Sequence, residues 1–218
     1  PDGVFKLAIF QDPATQNLFK WYDTDTDAYS LYQMTGQSVS LFGISYPNYT
    51  LIPSMATELI ETSTDNGDGT FSYTVPITEG YEWSDGNPIT AEDWVFTYNT
   101  AKGLPLLGQW AAVWPSNCEV ECVTNVEAVD AYTVKISFNY DPGLTGWQYG
   151  AALAPALSKA YWEQFATSRE DLLAVSGAEA PVASAFVYDK IEQGAFYTWT
   201  YDSDTMYFGG ETTNYANG

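Results

Sequence analysis

The chain of 218 residues contains no histidine. That removes Ser-His-Asp and Cys-His catalysis, together with His-ligated zinc or iron. Basic residues are scarce too, 7 against 28 acidic ones, for a formal charge of −21. A phosphate backbone is bound by dense Lys and Arg, so nucleic acid is excluded as a partner, and anionic membrane surfaces are disfavoured for the same reason. The acidity fits either attraction of cationic ligands such as peptide amines or a heavily solvated surface suited to salt, and the second is the preferred reading. No apolar run reaches the roughly 18 residues of a membrane-spanning helix. No basic-then-apolar start reads as an export signal, so any such signal is expected to have been removed or to lie outside this sequence.

Cysteine is nearly absent as well. Cys118 and Cys122 are the only two. In a straight strand they stand about 13 Å apart, beyond the reach of a disulfide, so a bridge needs a turn at residues 119–121. Two free buried thiols fit the spacing equally. So does a two-thiolate metal site, which lacks its other ligands.

What is present is apolar and aromatic. Hydrophobic residues make up 45% of the chain, enough for the core of one large or two modest domains. Val4 to Phe10 reads as a short first strand ending at Asp12-Pro13. A helix is expected from about Tyr29 to Leu41, and a turn running into a strand over 51–61. Asp65 to Gly69 is a turn cluster, after which Phe71, Tyr73, Val75 and Ile77 alternate with polar residues at strand period. Pro76 places that strand at an edge or at its end. A second hairpin pairs residues 126–129 with Tyr132 to Tyr140. Helices are expected within 151–165 and over 168–175. A third hairpin runs from Phe186 to Ile191, turns at Gln193-Gly194 and returns through Phe196, Thr198 and Thr200. Hairpins mixed with helices, without βαβ alternation, predict an α+β fold of mixed sheets and packed helices.

Residues 83–97, Trp-Ser-Asp-Gly-Asn-Pro-Ile-Thr-Ala-Glu-Asp-Trp-Val-Phe-Thr, are the most informative stretch. Asp85 to Pro88 is turn chemistry, Thr90 is an N-cap, Asp93 is placed to reach back to the Thr90 amide, and Ile89 and Trp94 form a hydrophobic staple. The helix is expected over 91–102, with Gly103 and Pro105 ending it. The string resembles the W-S-D-G-x-P signature of extracellular solute-binding proteins of the oligopeptide- and dipeptide-binding type. Three further stretches fit in order: Thr50 to Glu58, Val126 to Lys135, and Pro181 to Gly210. The family's G-x-G-[PA]-Y loop appears here as Val182-Ala183-Ser184-Ala185-Phe186, so its glycines are lost.

The resemblance implies part of a two-lobed binding-protein architecture. Residues 1–45 start the first lobe, 46–145 form an inserted α+β subdomain carrying the signature, and 146–218 return to the first lobe. Family members are well over twice this length, so the chain is expected to be an N-terminal portion lacking the second lobe. The implied function is capture of a solute, most plainly a peptide, and its delivery to the permease subunits of an ABC importer. The implied location is the periplasm or cell surface, with lipid anchoring before processing, and the implied state is a monomer. Solute is expected at Gln11, Asp12, Tyr46, Trp147, Tyr149, Ser184 and Phe186, the two loop tyrosines and Trp147 because aromatic faces in loops stack on ligands. No catalytic residue, metal or cofactor is expected. The oxidising compartment that the resemblance implies keeps a Cys118–Cys122 disulfide open.

Bland readings compete throughout. The signature is explained by turn, cap and staple without a ligand. Asp23, Asp25 and Asp27 open like a calcium loop, but Ala28 and Met34 stand where Gly and Glu belong, so a solvated acidic loop suffices. Carboxylate pairs such as Glu58/Glu61 or Glu119/Glu121 are the basis of a rival reading, a secreted carbohydrate-active enzyme. An oligosaccharide-binding protein is a second rival, and a surface interaction module without a small ligand is a third.

Overall fold

The computed structural model describes residues 8–34, 36–114, 122–184, 186–192 and 194–201. Its centre is a four-stranded antiparallel sheet of β3 (Thr64–Asp65), β4 (Phe71–Pro76), β5 (Val123–Asp130) and β6 (Thr133–Phe138), in the order β3-β4-β6-β5. The register sets Tyr73 opposite Ile136, Val75 opposite Val134 and Val126 opposite Ile136. All five of these side chains are buried, so the period-two alternation has one face to cover. Pro76 ends β4, where a missing N–H disturbs the ladder least.

Helix α3 (Ala91–Gly103) covers that face with Ala91, Trp94, Tyr98 and Ala101, all buried. The Tyr98 hydroxyl donates to the Val123 carbonyl at 3.0 Å, tying helix to sheet. Each large apolar side chain so buried contributes roughly 1.5–3 kcal/mol.

Short helices complete the core: α1 (Leu18–Asp23), α2 (Ala28–Gln33), α4 (Gln109–Val113), α5 (Lys159–Trp162) and α6 (Arg169–Ala174). Phe19 is their hub, stacked on Trp110 with centroids 5.3 Å apart and edge-on to Trp162 at 5.3 Å. The Asn17 side-chain amide caps α1 by accepting from Lys20 N–H, and donates to the Leu172 and Val175 carbonyls at 2.8 and 2.9 Å, closing the end of α6. Two small hairpins project from the body, β1 (Phe42–Ile44) with β2 (Leu51–Pro53), and β7 (Phe186–Glu192) with β8 (Phe196–Tyr201).

The α+β expectation holds, and so do the three hairpins and the 91–102 helix. Other elements differ. The helix expected to Leu41 stops at Gln33, because Gly36 takes φ +83 and the chain then bridges Val39 to Ala156. The strand expected within 51–61 is only β2, since Ala56 turns away to bridge Ile77. Residues 151–165 do include the expected helix, α5, which runs on into a 3₁₀ turn at Glu163–Phe165, and a separate 3₁₀ turn stands at Ala151–Leu153. The expected first strand lies largely outside the described residues.

Candidate functional site

The Trp83–Thr97 string builds a joint. Asp85 Oδ1 accepts from Asn87 N–H at 3.1 Å, Gly86 takes φ +81, and Trp83 N–H donates to the Asn87 carbonyl at 2.8 Å. Asp93 then serves three partners. Its carboxylate accepts from the Thr90 amide at 2.9 Å, the Lys159 amide at 2.8 Å and the Trp83 indole at 3.5 Å. Turn, α3 and α5 thus converge on one buried carboxylate. Burial pushes the Asp93 carboxyl up to about 6, against the downward pull of those hydrogen bonds.

The same turn reaches a distant segment. Ser84 N–H donates to the Val182 carbonyl at 2.8 Å, and Val182 N–H donates to Ser84 Oγ at 3.0 Å. Beside this latch lies a cavity of about 480 Å³, lined by Ser84, Asp85, Tyr161, Glu179, Val182 and Asp189 among others. Its wall carries three carboxylates and, among the described residues, no basic side chain. Burial raises the Tyr161 phenol, and the Glu179 charge raises it further.

Asp12 is exposed, and its Oδ2 lies against the hairpin turn at Gly194, 3.9 Å from where a β-carbon would stand. Tyr32 and Tyr197 share this corner. The Tyr197 phenol is raised first by burial and then by the Asp12 charge and Tyr32, and its hydroxyl is buried without a hydrogen-bond partner among the described residues. Gln11 is exposed beside Asp12. Ser184 packs against Gly36, where an added β-carbon would come within 2.5 Å of the Ser184 β-carbon, and its hydroxyl accepts from Phe186 N–H at 3.1 Å. Phe186 is half-exposed and edge-on to Tyr201. Asp12 was expected at the solute from the sequence, whereas Tyr32 and Tyr197 were not, and they come near it only in the folded chain.

The expectation for Trp147 is corrected. It is 1% exposed, lies parallel to Tyr73 with centroids 3.6 Å apart, and donates its indole N–H to the Ile60 carbonyl at 2.9 Å. The five-residue π-helical turn at Leu144–Gln148 swings it inward, so both ring faces are spent on core packing. Tyr46 and Tyr149 stand exposed and both meet Tyr49: Tyr46 lies edge-on to its ring, and the Tyr149 hydroxyl and the Gln148 amide each donate to the Tyr49 carbonyl at 3.0 Å.

The acidic triplet is fully employed in structure. Asp27 caps α2 through the Tyr29 and Ser30 amides, Asp25 pairs with Lys20 at 2.9 Å, and buried Asp23 pairs with Arg169. Among the described residues no three carboxylates or thiols are grouped to hold a metal. Cys122 is disulfide-bonded, while Cys118 lies outside the described residues. Among the described residues no helix is long and apolar enough to cross a membrane.

Solved structures share this architecture. A mannohexaose-bound periplasmic oligopeptide-binding protein from Thermotoga maritima superposes with a TM-score of 0.67 at 22% identity, over 90% of this chain and 32% of that one. The periplasmic EDTA-binding protein EppA gives 0.66 at 17% identity, over 90% and 35%. An oligopeptide-binding protein from Thermus thermophilus, complexed with a pentapeptide, gives 0.59 at 19%, over 89% and 36%. The chain therefore has the fold of one portion of these proteins, and it spans about a third of their length. Residues 50–213 match the bacterial extracellular solute-binding proteins, family 5 Middle, and the chain belongs to that family. Among curated proteins no sequence matches it.

Proposed function

We propose that this chain is part of the extracytoplasmic solute-binding component of an ABC importer, with a peptide as its solute. The match of residues 50–213 to a solute-binding family carries this reading. The fold shared with a pentapeptide-bound protein supports the solute class. Residues 1–45 and 146–218 form the first lobe, with 46–145 inserted. A second lobe closes over the solute, the closed monomer docks on permease subunits, and no bond is made or broken. The protein works in the periplasm or at the cell surface, lipid-anchored before processing.

The solute wall consists of Gln11, Asp12, Ser184 and Phe186, joined by Tyr32 and Tyr197. The Asp12 carboxylate is the partner for a peptide ammonium, with Tyr197 beside it. The test is a thermal melt of the full-length protein with a tripeptide library. A ligand present at 100 times its Kd stabilises by about 2.7 kcal/mol, a shift of several degrees. Turnover of any glycan by the same protein would favour the rival carbohydrate-active enzyme, and the absence of any melting shift would favour the interaction module.

A further inference from the structure

We propose that Tyr46, Tyr49 and Tyr149 form a stacking surface for a neutral hexopyranose, so that Tyr46 and Tyr149, expected from the sequence at the solute, serve a sugar and not the peptide held at the Asp12 wall. The three residues are 83%, 56% and 51% exposed. Tyr46 and Tyr49 meet edge to face, centroids 5.9 Å apart and planes at 84°, forming a corner. Tyr49 occupies the left-handed region at φ 55, where a tight hairpin turn ordinarily places Gly or Asn. Its backbone is fixed there by Tyr49 N–H to the Ser45 carbonyl at 2.9 Å and by the Gln148 and Tyr149 donors, both at 3.0 Å. A strained tyrosine held from a segment about a hundred residues away is set for its ring, since the turn alone has easier residues.

Charge selects the occupant. The two segments that build the corner lie within 28–57 and 142–158, and neither range contains an Asp, Glu, Lys or Arg in a chain of net charge −21. A cationic ligand is drawn to the carboxylates elsewhere, and an anionic one gains no partner here. The rim is hydroxyl and amide, from Ser45, Thr50 and Gln148, with the Ser45 and Thr50 side chains 2.7 Å apart. One exposed ring of this corner, bordered by neutral hydrogen-bonding groups, matches the C–H face and the equatorial hydroxyls of an uncharged sugar ring.

The test titrates the full-length protein with mannohexaose and cellohexaose, followed by saturation-transfer NMR and calorimetry. Saturation is expected to reach the sugar ring protons. Tyr46→Ala is expected to lower affinity at least tenfold with an unchanged melting temperature, and Tyr46→Trp to retain binding. No transfer to either hexaose, or undiminished binding by both Tyr46→Ala and Tyr149→Ala, overturns the proposal. Either result leaves the peptide-binding reading untouched, because that reading is tested by the tripeptide melt.

Discussion

Ser84 and Val182, 98 residues apart, exchange two hydrogen bonds, Ser84 N–H to the Val182 carbonyl at 2.8 Å and Val182 N–H to Ser84 Oγ at 3.0 Å. The turn of the family string is thereby fastened to the segment that leads to Ser184 and Phe186. Ser84→Ala keeps the first bond and strands the Val182 N–H in a buried place. We predict a loss of about 1–3 kcal/mol in urea unfolding and faster hydrogen exchange at the Val182 amide.

Gly36 makes room for the same segment from the other side. At φ +83 and with only 2.5 Å to the Ser184 β-carbon, Gly36→Ala is strained in its backbone and clashes as well. The backbone part alone costs about 1–2 kcal/mol. The expected outcome is a lowered melting temperature together with chemical-shift changes at Ser184 and Phe186.

Trp147 and Tyr149 are two residues apart and face opposite fates. Trp147→Ala removes a buried ring stacked on Tyr73 and is expected to cost about 3–5 kcal/mol. Tyr149→Ala, at a half-exposed position, is expected to cost about 1 kcal/mol or less. Equal effects in denaturant unfolding would contradict the assignment of Trp147 to the core.

Asp93 gives stability a pH dependence of known sign. Its folded value is about 6 against an ordinary 3.8, so the folded state holds the proton more tightly. The stability linked to that proton is fully present below the unfolded value and is lost as pH rises through about 6. The shift corresponds to about 3 kcal/mol at most. Asp93→Asn cannot ionise, so the gap between wild type and variant is expected to move against wild type between pH 4 and 7. A gap that stays constant over that range contradicts the buried, proton-holding carboxylate.

Local signals in the sequence located most of the elements, because alternation and turn residues act over a few positions. Phe71 to Pro76 and Thr133 to Phe138 form strands as their patterns require, and Thr90 with Asp93 starts α3 through the expected amide contact. What failed depended on distant partners. Nothing within 29–41 announces that Gly36 must turn to receive Ser184, and nothing around Trp147 announces that Tyr73 waits to stack on it. The second task of the family string, at Val182, was hidden for the same reason. Asp12 was legible as a loop carboxylate, whereas Tyr32 and Tyr197 reach it only through tertiary folding.

The measurement that bears most directly on the account is calorimetric titration of the full-length protein with a tripeptide library, for wild type and Asp12→Asn. Saturable binding is predicted for wild type, with affinity reduced about tenfold or more when the carboxylate is lost. No binding of any peptide by wild type, or equal binding by Asp12→Asn, would contradict a peptide held at the Asp12 wall.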